Sequence, residues 1–97
     1  MKHLIILITL FSLLSFKGKY TVKDTNDKET IFKFDTYSGW YYDYETFYYF
    51  DYWIKRDIMT IVYKKHGVYE GTRYYRIVGD KLIEINTSYT LILRKHD

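Results

Sequence analysis

From Lys17 onward, apolar side chains recur at every second position, the period of a strand with one buried face. Thr30, Phe32, Phe34 and Thr36 alternate with Ile31, Lys33, Asp35 and Tyr37, which predicts a strand with an aromatic inner face. Ser38-Gly39 punctuates it. Between Trp40 and Ile54 every even position except Thr46 is aromatic or aliphatic, so Trp40, Tyr42, Tyr44, Tyr48, Phe50, Tyr52 and Ile54 read as one core stripe. The odd positions, from Tyr41 to Lys55, then form the outer face. One unbroken strand over that span would be unusually long, so a turn is placed near Asp43–Thr46.

Lys55-Arg56-Asp57 reads as a tight turn into Met59, Ile61 and Tyr63, and residues 64–71 as a polar loop. Arg73 to Val78 is a strand, Val78-Gly79-Asp80 a turn, and Lys81 to Ile85 the returning partner. Asn86-Thr87-Ser88 turns the chain into Tyr89, Leu91 and Leu93. The sum is seven or eight short strands in an antiparallel meander. No Pro marks any of them as an edge strand.

Two hairpins follow one recipe. Residues 52–59 and 75–82 share the pattern Y-x-I-x-x-D-x-(M/L), with two inward residues, a turn whose Asp can bond its own backbone, and one inward residue on the return. Gly79 suits a turn needing positive φ and Arg56 does not, so the two turns need not be of the same type.

The N-terminus departs from this alternation. Met1-Lys2-His3 is a short basic start, and Leu4 to Phe16 carries no charge, Pro or Gly. That run is too short to span a bilayer at ~20 residues but fits the apolar region of a secretory signal, with Ser15 at the boundary. Residues 1–16 are therefore read as a signal helix, cleaved or retained as an anchor, and residues 17–97 as one domain placed outside the cytoplasm.

Composition sharpens the picture. Thirteen Tyr, six Phe and two Trp give a small domain a dense core, which it needs because the chain has no Cys and hence no disulfide. Absent Cys also excludes a thiol nucleophile and a thiolate metal site. The formal charge of +3 is small and alternates in sign along the chain, which argues against a nucleic-acid partner. His3, His66 and His96 have no carboxylate or histidine at metal-ligand spacing, and no nucleophile elbow or phosphate-cradling loop is present, so no cofactor and no enzyme activity are expected. Asn86-Thr87-Ser88 fits an N-glycosylation acceptor, which matters only in a eukaryotic setting.

The layout resembles the small lipocalin-like domains of exported bacterial proteins. Gly18-Lys19-Tyr20 opens the first strand, Phe32-Lys33-Phe34 forms the second, the two hairpins follow, and Tyr89–Lys95 closes the chain. The resemblance implies an all-β barrel, closed or nearly closed, that binds a hydrophobic ligand. Tyr20 stands where a lipocalin carries Trp, and the chain is about half a full calyx in length, so its own side chains are expected to fill the barrel.

Candidate binding residues come from the odd face of the aromatic run. Tyr41, Phe47, Tyr49 and Trp53 offer flat apolar rings, and Asp43, Glu45 and Asp51 beside them can accept sugar hydroxyls. The same carboxylates as a glycosidase pair would need a deep cleft, which so small a domain hardly provides. The expected function is a non-enzymatic exported barrel that binds a hydrophobic or glycan-like ligand or an envelope protein, touching a membrane only through an uncleaved leader. The alternative is a structural or inhibitory protein-interaction module with a filled barrel.

Overall fold

Eight antiparallel strands realise the alternation, and each pairs with its neighbour in sequence. The structure is a computed structural model that describes residues 16–96; the signal segment lies outside the described residues except for Phe16. The strands are β1 (Gly18–Asp24), β2 (Glu29–Phe34), β3 (Ser38–Asp43), β4 (Thr46–Lys55), β5 (Ile58–Lys65), β6 (Val68–Val78), β7 (Lys81–Glu84) and β8 (Thr90–Lys95). β8 returns to pair with β1, Val22 opposite Leu93, so the sheet closes into a barrel without free edges.

Inward residues from seven strands build one core, and Tyr41 of β3 packs against it half-buried. Tyr20, Val22, Phe32 and Phe34 face Phe50, Tyr52, Met59, Ile61, Tyr75, Leu82, Leu91 and Leu93, all buried. Rings meet edge to face at the closed end, as in Phe34 against Tyr52 at 5.1 Å and 82°. Phe16 closes this end from below, 5.8 Å from Phe34 and 6.2 Å from Tyr20. The Tyr52 hydroxyl donates to the Asp35 carbonyl there and ties β4 to the β2–β3 loop.

The chain departs from the expected pattern at three places. The turn does fall at Tyr44-Glu45, but it is a two-residue hairpin in which Asp43 faces Thr46 and Tyr41 faces Tyr48. Cross-strand partners on one face then have opposite parity, so the inward set is odd in β3 and even in β4. Gly39, Tyr41 and Asp43 point inward, whereas Trp40 and Tyr42 belong to the outer face and Tyr44 to the exposed turn. Gly39 is itself part of strand β3, opposite Phe50, where a larger residue would meet that ring.

The second departure is the loop at residues 64–71. It is mostly strand: β5 reaches Lys65, β6 starts at Val68, and only His66-Gly67 turns, with a bulge after Tyr63. The third is at Arg56, which takes φ 58° and so matches the φ 61° of Gly79. The two hairpins thus share their register as well as their recipe, with Ile54 opposite Met59 and Ile77 opposite Leu82.

A candidate binding mouth

Odd-numbered strands all run toward one end of the barrel, and that end is open. The core residues named above fill the opposite half, and toward the open end the barrel widens into a cavity of about 980 Å³. Its floor is Val22, Phe32, Leu91 and Tyr75, and its walls carry Tyr41, Tyr48, Tyr63 and Tyr89.

Three of these rings continue a column through the core wall. Phe32 lies 5.9 Å from Phe34, Tyr41 stacks on Phe32 at 5.2 Å and 19°, and Tyr48 stacks on Tyr41 at 5.2 Å and 24°. The column arises because β2, β3 and β4 place successive inward aromatics at neighbouring register positions, Phe32 opposite Tyr41 and Tyr41 opposite Tyr48. It ends at Tyr48, half-buried at the rim, with His66 6.4 Å away.

Charged groups ring the mouth in ordered pairs. The Lys28 ammonium donates to both oxygens of Asp43, at 2.9 and 3.1 Å, and lies 4.3 Å from the centre of the Tyr44 ring. Arg73 donates to Glu84 at 2.9 Å, and the Thr87 hydroxyl donates to the other oxygen of the same carboxylate at 2.9 Å. Asp24 accepts the backbone N–H groups of Asn26 and Lys28, at 2.8 and 3.0 Å, and the Tyr89 hydroxyl at 3.1 Å. Lys65 and Glu70 complete the rim from β5 and β6.

The electrostatics follow from this wiring. Burial alone would raise the Asp24 carboxyl, but the two N–H groups, the Tyr89 hydroxyl and the Lys28 charge outweigh it and hold it below its ordinary value. Tyr89 is pushed up to about 12 by burial and by its bond to Asp24. Tyr63 is pushed well above its ordinary value by burial and by Tyr75, whose hydroxyl lies 3.0 Å away. All the mouth tyrosines with displaced values are thus held as neutral hydroxyls that can donate or accept. The arrangement can stack a flat ring and hydrogen-bond its substituents. Among the described residues no group of three or more His, Asp or Glu is placed to hold a metal.

The sequence-predicted binding residues separate onto two sides of the wall. Tyr41 and Asp43 line the mouth, a correction of their outward assignment caused by the parity switch at the hairpin. Phe47, Tyr49 and Trp53 stand outside, 52%, 62% and 48% exposed, and Asp51 pairs with Lys64 at 2.7 Å on that outer surface. Asp43 and Asp51 therefore cannot flank one bond. Phe47 packs on Trp40 and Tyr42, and Trp53 and Tyr74 flank the outward-facing Thr60, which is buried. The sequence reading missed Asp24, Lys28, Tyr48, Glu70, Arg73 and Glu84 as neighbours. The available signal was the two-residue hairpin itself, which places residue 41 beside residue 48.

Compared with known proteins, the chain matches no family model, no curated protein and no solved structure.

Proposed function

We propose that the protein is a non-enzymatic exported barrel that binds a small, hydroxyl-rich ring ligand of glycan-like chemistry in its open mouth. The observation that carries this reading is the column Phe32–Tyr41–Tyr48, which delivers an aromatic face into a cavity rimmed by carboxylates and cations. A pyranose ring has an apolar C–H face that covers an aromatic ring and a rim of hydroxyls that needs paired donors and acceptors. Asp43, Glu70 and Glu84 supply acceptors, and Lys28, Lys65 and Arg73 supply donors, at the height of that ring face. A long acyl chain fits less well, because the lower half that it would need is occupied by Phe34, Met59, Ile61 and Leu82, each at most 1% exposed. Export rests on the apolar leader Leu4–Phe16.

Calorimetric titration of the mature protein with a panel of monosaccharides and short oligosaccharides tests the reading. At least one sugar is expected to bind, and Tyr48→Ala to weaken it by roughly tenfold, the equivalent of about 1.4 kcal/mol. Trp53→Ala on the outer wall should leave that affinity unchanged. Failure of every sugar, together with concentration-dependent self-association, would favour the protein-interaction module instead.

A further inference from the structure

A second row of inward positions climbs the wall beside the Phe32–Tyr41–Tyr48 column. In register it reads Phe34, Gly39, Phe50, Tyr63 and Gly71, from β2 across to β6. Phe34 meets Phe50 at 5.3 Å, and Phe50 meets Tyr63 at 6.2 Å. The first row ends on the Tyr48 ring. The second ends in the mouth on a residue with no side chain.

The two glycines of this row differ in what occupies the space a side chain would take. At Gly39 the Phe50 ring fills it. At Gly71 a Cβ would meet nothing within 4 Å, and the residue lines the cavity. The backbone does not call for glycine either: φ at Gly71 is not positive, so the bulge beside it has no need of one. A glycine within a strand costs stability. Where neither a turn nor the packing requires it, it marks a place that a ligand or another backbone approaches closely. Gly71 faces the mouth, so the visitor is a ligand of that mouth.

The neighbouring charges point the same way. Asp24, Lys28, Asp43, Arg73 and Glu84 are each bound to another group of the chain. Glu70 precedes Gly71, and Lys65 stands on β5 across the same hairpin; both line the mouth. Among the described residues neither side chain has a hydrogen bond or an ion pair. They are the acceptor and the donor that the mouth leaves uncommitted.

We propose that Gly71 is the seat of the bound ring and the residue that limits how large a ligand the mouth admits. The apolar face of the ring lies on the Tyr41–Tyr48 column, one edge reaches the β6 backbone at Gly71, and its hydroxyls meet Glu70 and Lys65. The inference rests on the glycan-binding reading and adds to it the position that sets specificity. A side chain at residue 71 fills the seat without disturbing the fold, so stability and affinity move in opposite directions.

Thermal melting and calorimetric titration of the full chain, Gly71→Ala and Gly71→Val test this, with glucose, galactose, N-acetylglucosamine and cellobiose as probes. The native protein should bind at least one of the four. Gly71→Val should melt about 4 °C higher and bind that sugar roughly tenfold more weakly, with a smaller loss in Gly71→Ala. Equal affinity in the native and Gly71→Val proteins would overturn the seat and leave the glycan reading standing. A lower melting temperature in Gly71→Ala would also overturn it, because the glycine would then serve the fold. If none of the four sugars binds the native protein, the glycan reading fails and the seat fails with it.

Discussion

At Gly39 a single missing side chain sets how β3 fits the barrel. A Cβ built there would stand 2.6 Å from the Phe50 ring and collide with the Lys33 carbonyl oxygen, so the absence of a side chain lets Phe50 fill the centre. Gly39→Ala is therefore expected to destabilise the protein by about 3 kcal/mol, read from urea unfolding. The sequence suggested only punctuation at this residue, because a glycine facing a large ring across a sheet is invisible until the register is known. Asp24 is the corresponding polar residue. Its folded pKa is depressed below 3.8, so the stability it contributes is present above that value and is lost as pH falls through the lower folded one. Asp24→Asn keeps an acceptor for the turn but loses the charge. Its unfolding midpoint should change less than that of the native protein between neutral pH and about pH 3. An equal change in both would remove Asp24 from the acid response.

The paired hairpins show how far the strand pattern reaches. Their inward residues, Tyr52, Ile54 and Met59 in one and Tyr75, Ile77 and Leu82 in the other, were legible from the period-2 alternation and take the same register. The turn backbone was not legible, because the sign of φ at Arg56 is imposed by closure of the hairpin and not by local preference. Arg56 holds φ 58°, a region costly for a side chain, where Gly79 holds φ 61° at no such cost. Arg56→Gly should accordingly stabilise the domain by about 1 kcal/mol, and thermal melting should show a rise of roughly 4–8 °C. Misreading β3 had the same kind of origin. The alternation is continuous from Trp40 to Ile54, and only the two-residue turn at Tyr44-Glu45 switches which parity faces inward. That switch moved Tyr41 and Asp43 into the mouth while leaving Phe47, Tyr49 and Trp53 outside.

For the molecule as a whole, an all-β meander was legible because aromatic and β-branched residues alternate over nearly its whole length. Closure, expected as full or nearly full, is completed by pairing of β1 with β8 between residues more than sixty positions apart, such as Thr21 and Arg94. Holding the core together with tyrosine has a global consequence at high pH. Burial raises Tyr20, Tyr41, Tyr52, Tyr63, Tyr75 and Tyr89, with Tyr52 and Tyr89 at about 12. A raised value means that stability is complete below the unfolded value near 10 and is lost as pH climbs toward 12. Phenolate absorbance followed beside circular dichroism should show these tyrosines ionising together with unfolding, and ionisation of all thirteen with the fold intact would contradict it. The central claim, an open mouth that takes a small ring ligand, is tested most directly by amide and ring chemical shifts as saccharides are added to the isotope-labelled protein. Saturable shifts confined to Tyr41, Tyr48, Glu70, Thr72 and their neighbours are the predicted result. Shifts confined to Phe47, Tyr49 and Trp53, or no saturable shift with any sugar, would contradict it.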